Sequence, residues 1–346
     1  MMGEMNGGFM SKFEFDTDKL ADYLKDKIEG FDGPIAAEKF AGGQSNPTFA
    51  LSTKNQNYVL RRKPPGTLLK SAHAVDREYR VMTALRDTDV PVPKTYHLCE
   101  DDAVIGSSFF IMEKLEGRVF WNAQLPEQTA EEREAIYYEM NRVLACLHSV
   151  DIDAVGLSDY GKPGNYFERQ IGRWTKQYRA SETETIEEMD FLIDWLAQNM
   201  PADDGVSALV HGDYRLDNMM FHPTENRVIG VLDWELSTLG HPLADLAYQC
   251  MQWHMPADGV VPGLLGIDRA ALGIPDDEAY IERYCQQRGL DGISNWNFYL
   301  VFSFFRMAAI VQGIKKRLLD GNASSDKAAE MAKTVKPLAQ MACTYV

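Results

Sequence analysis

Cysteine is scarce in this chain, five in 346 residues. Cys99, Cys146, Cys250, Cys285 and Cys343 are isolated, odd in number and never in a CxxC pair. That argues against a disulfide framework and a cysteine-bound zinc site and fits a reducing cytoplasm. Positive charge is also short, with 35 Lys and Arg against 51 Asp and Glu, a formal net charge of −16. A surface this acidic repels phosphate backbones and anionic headgroups over a Debye length, so no nucleic acid partner is expected. Anionic small ligands stay open, because a cleft can hold a local basic cluster inside a negative molecule. There is no fixed-period repeat and no low-complexity run, which disfavours solenoids and propellers. The N-terminal stretch carries Glu4, Glu14, Asp16 and Asp18 without an apolar run, so no secretory signal is expected and the mature chain is read as starting there. The one long apolar run, 296–314, has Arg306 at its middle and the basic group Lys315 to Arg317 at one end only. A charge is costly in hydrocarbon, so a buried helix is expected and no membrane span.

At about 150 residues per domain, the length points to two lobes, each able to bury a core. With 45% hydrophobic and 25% charged residues, the chain falls in the globular range and outside the disordered one. Its character changes near residue 117. Before that point, Leu20, Tyr23, Leu24 and Ile28 share a helical face behind the cap candidates Asp16 and Thr17, with Gly30 as a stop. Strand-like segments follow at 49–52, 58–61 and 109–113, interrupted by a helix with Val75, Tyr79 and Met82 on its apolar face. After residue 117, helical periodicity dominates, as in Ile136, Met140, Val143, Leu144 and Leu147, and again in Phe191, Leu192, Trp195 and Leu196. Two short strands, 219–221 and 228–232, bracket a turn containing His222, Pro223 and Asn226. The expectation is a strand-rich lobe over 1–116 joined to a helical lobe over 117–346.

Gly156 to Lys162 spells GxxxxGK, the opening of a phosphate-cradling loop. Pro163 stands where that loop needs a metal-binding Ser or Thr, and no apolar strand leads in, so an ordinary loop is expected. The stronger constellation is HGDYRLDN at 211–218 followed by VIGVLDWE at 228–235. An aspartate, an asparagine five residues later and a second aspartate after an apolar strand match the catalytic and metal-binding elements of kinases. Asp213 is suited to accept or orient a substrate hydroxyl proton, while Asn218 and Asp233 offer oxygens to magnesium bridging ATP phosphates. The competing reading is that Asp213, Asp217 and Asn218 merely cap a turn. The same order of parts extends upstream. FAGGQSNPTFAL at 40–51 is a Gly-rich turn between strands, suited to bringing backbone amides near phosphate, with Gly42, Gly43, Gln44, Ser45 and Asn46 at its tip. YVLR at 58–61 ends in Arg61 and Glu78 lies on the next helix, the strand-base and helix-acid pair of kinases with Arg in place of Lys. Arg62 and Lys63 are alternative bases. Arg215 is a candidate for neutralising charge on the departing phosphoryl group.

On these residues the chain resembles the aminoglycoside phosphotransferase and choline kinase-like group of the protein kinase fold, over about residues 35–310. HGDYRLDN and VLDWE carry the resemblance, with GHPLADLA at 240–247 in support. The combination of VLRRKPPG, HGDYRLDN and GHPLADLAY looks closest to the kinase-like domains found beside acyl-CoA dehydrogenase modules. The resemblance implies an α+β bilobal fold, a small antiparallel-sheet N-lobe and a larger mainly helical C-lobe. It implies that FFIMEKLEG at 109–117 is the hinge, with Met112 behind the adenine and the backbones of Glu113 and Leu115 bonding it. It also implies that Asp245 steadies the catalytic loop, although His241 stands where many relatives have aspartate, and that Trp234 and Glu235 replace the Phe and Gly of protein kinases. The function expected is ATP- and magnesium-dependent phosphorylation of a small-molecule hydroxyl, with an apolar hydroxy acid or hydroxyacyl thioester favoured. Trp174, Tyr178, Trp253 and Trp296 are candidates to line such an acceptor pocket. The alternatives are an aminoglycoside-modifying enzyme, which an acidic protein suits electrostatically, and a nucleotide-binding pseudokinase.

Overall fold

The structure is a computed structural model describing residues 15–40, 46–64, 74–321 and 326–346. In chain order the elements are α1 (Thr17–Lys25), β1 (Ala36–Lys39), β2 (Thr48–Ser52), β3 (Asn57–Arg62), α2 (Val75–Leu85), β4 (Thr95–Cys99), β5 (Phe109–Glu113), α3 (Ala130–His148), α4 (Tyr166–Ser181), α5 (Glu187–Gln198), β6 (Ala208–Val210), β7 (Met219–Phe221), β8 (Val228–Val231), β9 (Thr238–Gly240), α6 (Leu243–Trp253), α7 (Arg269–Leu272), α8 (Asp277–Arg288), α9 (Trp296–Leu319), α10 (Asp326–Ala332) and α11 (Val335–Cys343). Internal contacts divide the chain into two units, 1–116 with 229–235, and 117–228 with 236–346. The sequence suggested a single boundary at 116; the segment ending in Asp233 and Glu235 goes with the first unit.

The first unit is built on an antiparallel sheet of order β1-β2-β3-β5-β4. Its three central strands lie within a residue of the segments read from the sequence. β1 and β4 were not legible: all four β1 residues are exposed, leaving no alternation, and β4 is broken by a register shift between Thr95 and His97. Helix α1 starts as its residues dictate, with the Asp16 carboxylate accepting from the Asp18 and Lys19 amides. Its Leu20 and Leu24 pack with Phe49, Leu51, Tyr58, Leu60, Phe109 and Ile111 into one core. At about 1.5–3 kcal/mol for each large apolar side chain removed from water, this cluster is the main source of the unit's stability. Alternation along β3 sends Tyr58 and Leu60 into that core, and Arg62 shares their side of the strand. The next residue type in the pattern, Arg61, points the other way and meets Glu78 of α2.

The second unit is helical around α9, on which α4, α6 and α11 pack. Helix α9 is long and apolar enough to cross a membrane, but 78% of its most apolar window is buried inside the protein. Arg306 is itself buried there, so the charge found in the sequence belongs to the protein interior. The GxxxxGK segment is an ordinary loop, as expected. A Cβ on Gly161 would sit 2.6 Å from the Leu239 amide nitrogen, so this glycine allows close packing against β9. The turn after β7 is closed by the His222 amide donating to the Arg227 carbonyl at 2.8 Å.

Candidate active site

In the first unit the chemistry gathers around Arg61. Its Nε lies 2.8 Å from Glu78 Oε2 and its Nη2 2.5 Å from Asp233 Oδ1, with Glu235 Oε2 at 3.9 Å. One guanidinium therefore ties the acid of α2 to the aspartate of VLDWE, a span suited to its fork of donors. Asn46 is fully buried and its Nδ2 donates to the other Glu78 oxygen at 2.7 Å. The sequence placed Asn46 among the nucleotide-binding residues of the Gly-rich turn; in the structure its side-chain amide supports Glu78. Gly42, Gly43, Gln44 and Ser45 lie outside the described residues. Burial pushes the Glu78 carboxyl up to about 7 against the pull of Arg61, and the Asp233 and Glu235 carboxylates push the same way. For Arg61, burial works against the charge, but the surrounding carboxylates outweigh it and hold the guanidinium above its ordinary value. Asp233 has φ +66°, a left-handed backbone that an aspartate tolerates and that sets where its carboxylate points.

Arg62 and Lys63 do not share the task of Arg61. Arg62 donates through Nε to Ser107 Oγ and through Nη2 to the Ile105 carbonyl, both at 2.8 Å, on the opposite side of β3. Lys63 Nζ lies 3.6 Å from Asp76. At the expected hinge, Met112 is buried at the end of β5 opposite Val59. The Glu113 amide is already donated to the Lys94 carbonyl at 2.8 Å, so only the carbonyl of Glu113 is left to meet a purine. Leu115 packs so closely on Gly230 that a Cβ there would lie 2.4 Å from Leu115 Cδ1.

In the second unit β6 delivers the chain to His211 and Gly212, which turns at φ +84°. A Cβ at Gly212 would sit 2.6 Å from the Leu236 carbonyl oxygen, so only glycine fits. The buried Asp245 carboxylate on α6 accepts from the His211 amide at 2.5 Å and the Gly212 amide at 2.9 Å. Burial pushes that carboxyl up, but His148 and the backbone donors outweigh it and hold it below the ordinary aspartate range. His148 Nε2 stands 3.5 Å from it, and His148 Nδ1 is 2.8 Å from the Tyr284 hydroxyl. His241 accepts from the Leu243 amide at 3.3 Å and stacks on Tyr299.

This frame presents Asp213. Its Oδ2 accepts from Asn218 Nδ2 at 3.0 Å, and its Oδ1 accepts from the Tyr248 hydroxyl at 2.7 Å. The Asn218 amide nitrogen also donates to the Asp213 carbonyl at 2.9 Å, which leaves Asn218 Oδ1 as the atom that would meet a cation. Arg215 is drawn into the loop, with Nη2 2.5 Å from Asp217 and Nε 3.5 Å from Asp213. Arg306 Nη2 donates to the Gly212 carbonyl at 2.5 Å. Tyr248, Arg306 and His148 were not foreseen as site residues. Tyr248 was findable, since it follows Asp245 by one helical turn and shares its face.

Among the described residues no three His, Cys, Asp or Glu side chains cluster as a metal site. Of the aromatics considered for an acceptor pocket, Tyr178 and Trp253 are core. Trp253 packs edge-on against Tyr137 and Tyr280. Trp174 lies against Arg306. Trp296 lines a cavity of about 690 Å³ with Ile281, Leu290 and Leu300, and the lining includes neither Asp213 nor Asn218.

Residues 36–297 match the model of the phosphotransferase enzyme family. The chain is 47% identical over 330 residues to acyl-CoA dehydrogenase family member 10 of Mus musculus, an alignment covering 95% of this chain and 31% of that protein. It thus spans about a third of that relative's length. A crystal structure from Ralstonia eutropha, described as a candidate aminoglycoside phosphotransferase, is 56% identical with a TM-score of 0.89, covering 96% of this chain and 98% of that one. The aminoglycoside phosphotransferase APH(4)-Ia, solved with ADP and hygromycin B, shares the fold at 15% identity and a TM-score of 0.60, covering 93% of this chain and 98% of that one. With an α+β kinase-like fold and a family match across most of its length, the chain belongs to the phosphotransferase enzyme family.

Proposed function

We propose that this protein transfers the γ-phosphoryl group of ATP to a hydroxyl of a small molecule in a magnesium-dependent reaction. The observation that carries the reading is the Asp213 carboxylate, oriented at both oxygens and held on a loop pinned by Asp245. Asp213 accepts the acceptor's proton as that oxygen bonds to the γ-phosphorus and the bond to the ADP oxygen breaks. Asn218 and Asp233 are the residues that would hold magnesium, which when bound neutralises charge on the phosphates. Met112 and the backbones of Glu113 and Leu115 are assigned to the adenine side, the turn 42–45 to the phosphates, and Arg215 to charge on the transferred group. A pseudokinase is disfavoured because Asp213, Asn218 and Asp233 are all present, more than binding alone needs. Five free cysteines support a cytoplasmic setting.

For the acceptor we favour an apolar-chain hydroxy compound, as the acid or its CoA thioester. The likeness to a protein named for acyl-CoA dehydrogenases supports this class. The shared fold with an aminoglycoside phosphotransferase supports the second reading. The deciding measurement compares kcat/KM for hydroxyacyl-CoAs with that for kanamycin-like aminoglycosides under matched conditions. A higher value for the aminoglycoside refutes the acceptor assignment and leaves the chemistry standing. The chemistry is tested by Asp213→Asn, expected to abolish transfer while nucleotide affinity stays within several-fold. Wild-type turnover in that variant refutes it.

A further inference from the structure

Arg306 is a buried charge in the apolar centre of α9, and among the described residues no carboxylate lies within ion-pair distance of it. A buried guanidinium without a carboxylate is costly, and an apolar side chain of similar size would pack α9 as well. What surrounds it instead is the loop that carries Asp213, the Trp174 ring and the phenols of Tyr248 and Tyr166. Its Nη2 donates to the carbonyl of Gly212, the residue before Asp213. Its guanidinium sits 5.1 Å from the Tyr248 ring centroid and 5.7 Å from that of Trp174. Tyr248 in turn donates its hydroxyl to Asp213 Oδ1.

Resting on the reading of Asp213 as the catalytic base, we propose that Tyr248 and Arg306 are positioning residues for phosphoryl transfer: Arg306 fixes the backbone before Asp213 and holds the phenol that sets the rotation of its carboxylate. The two act at the two ends of the same side chain. Gly212 sets where the Asp213 main chain runs, and the phenol, with Asn218 on the other oxygen, fixes the plane of the carboxylate. The charged groups facing Tyr248 are Asp213, Arg215 and Arg306. Burial raises the phenol's pKa, and the neighbouring Asp213 charge raises it further, so the hydroxyl stays a donor. A misaligned base loses rate without losing ligand, because neither residue is assigned to ATP or metal.

The test follows ADP release by the full chain at saturating magnesium and ATP, with water and with a hydroxyoctanoyl-CoA as acceptors. Tyr248→Phe removes one oxygen and keeps the ring on Arg306. It is expected to lower kcat by roughly tenfold or more, with KM for ATP and the dissociation constant for ADP within about threefold. Arg306→Lys keeps a positive charge but loses the planar fork, and is expected to show the same split. Because the two act on one carboxylate, the double variant should fall little below the worse single variant, whereas two independent packing defects would multiply. Wild-type kcat in Tyr248→Phe, or full multiplication in the double variant, overturns the proposal. An inactive Asp213→Asn beside a fully active Tyr248→Phe refutes the positioning role alone. A fully active Asp213→Asn refutes the base assignment, and the positioning role falls with it.

Discussion

Replacing Asp245 by asparagine changes one atom and reverses the hydrogen-bond logic of the loop that carries Asp213. The carboxylate accepts from two buried backbone amides, His211 at 2.5 Å and Gly212 at 2.9 Å. An asparagine offers one acceptor and one donor, so one amide must face an NH₂ group in a site with no access to water. An unsatisfied buried donor costs about 1–3 kcal/mol, and the surviving bond drops from charge-assisted to neutral at a further cost of about 1 kcal/mol. The expected loss is therefore about 2–4 kcal/mol, a fall in Tm of roughly 5–10 °C for a domain of this size. Turnover should fall as well, because the amides that lose their acceptor lead directly into Asp213. The pH dependence carries a sign that checks the cause. Since the Asp245 carboxyl sits below its ordinary range, its contribution is present above about pH 4 and lost as pH falls through the folded value. The asparagine variant should lack that component of acid unfolding. Calorimetry across pH with parallel ATP turnover makes the comparison. An asparagine variant with unchanged Tm and unchanged turnover would refute the view that Asp245 holds the loop through its charge.

Asp233→Ala should remove the magnesium-dependent part of ATP binding, read by calorimetry with and without magnesium; equal enhancement in variant and wild type would place the metal elsewhere. Gly212→Ala meets both a positive φ and the Leu236 carbonyl, so it should lose activity and several degrees of Tm, and a fully active variant would contradict the close approach. For Glu78 the sign is opposite to that of Asp245. Its folded value of about 7 lies above its ordinary 4.5, so the native state binds the extra proton and stability falls as pH rises through that window. Urea unfolding at pH 5 and pH 8 should show a smaller fall in Glu78→Gln than in wild type.

Much of the candidate site was legible because its parts sit in unbroken segments. HGDYRLDN encodes a turn part of whose geometry is local: the Asn218 amide reaches back five residues to Asp213, a contact contained in the segment itself. Arg61 and Glu78 were legible for a related reason, since strand alternation and helix position fix their directions. The central strands were visible where one face is buried, whereas β1, exposed at every position, gave no period to read. Partners that come from afar left weaker marks. The contact between Arg306 and the Gly212 carbonyl joins positions 94 residues apart. Sequence pattern showed that Arg306 was out of place in an apolar helix, but only the packing of α9 shows what it faces. For Asn46 the side-chain partner was hidden for a related reason. Its neighbours in a Gly-rich turn suggested phosphate, while its own burial directs the amide to Glu78.

The substitution of arginine for the strand lysine of kinases then has a physical account. A lysine ammonium is a compact point charge at the end of one flexible stem, whereas the guanidinium is a planar fork with separated donors. Here Nε meets Glu78 while Nη2 meets Asp233, so two carboxylates that would otherwise repel are joined through one rigid group. The side chain is 11% exposed and Glu78 2%, so screening by water is weak and each partner left alone would be a buried, uncompensated charge. Asn46 satisfies the remaining Glu78 oxygen, which completes the pairing on that side. The arginine therefore couples the position of the VLDWE aspartate to the helix that carries Glu78. A change in charge at Asp233 is felt at α2 through a single side chain.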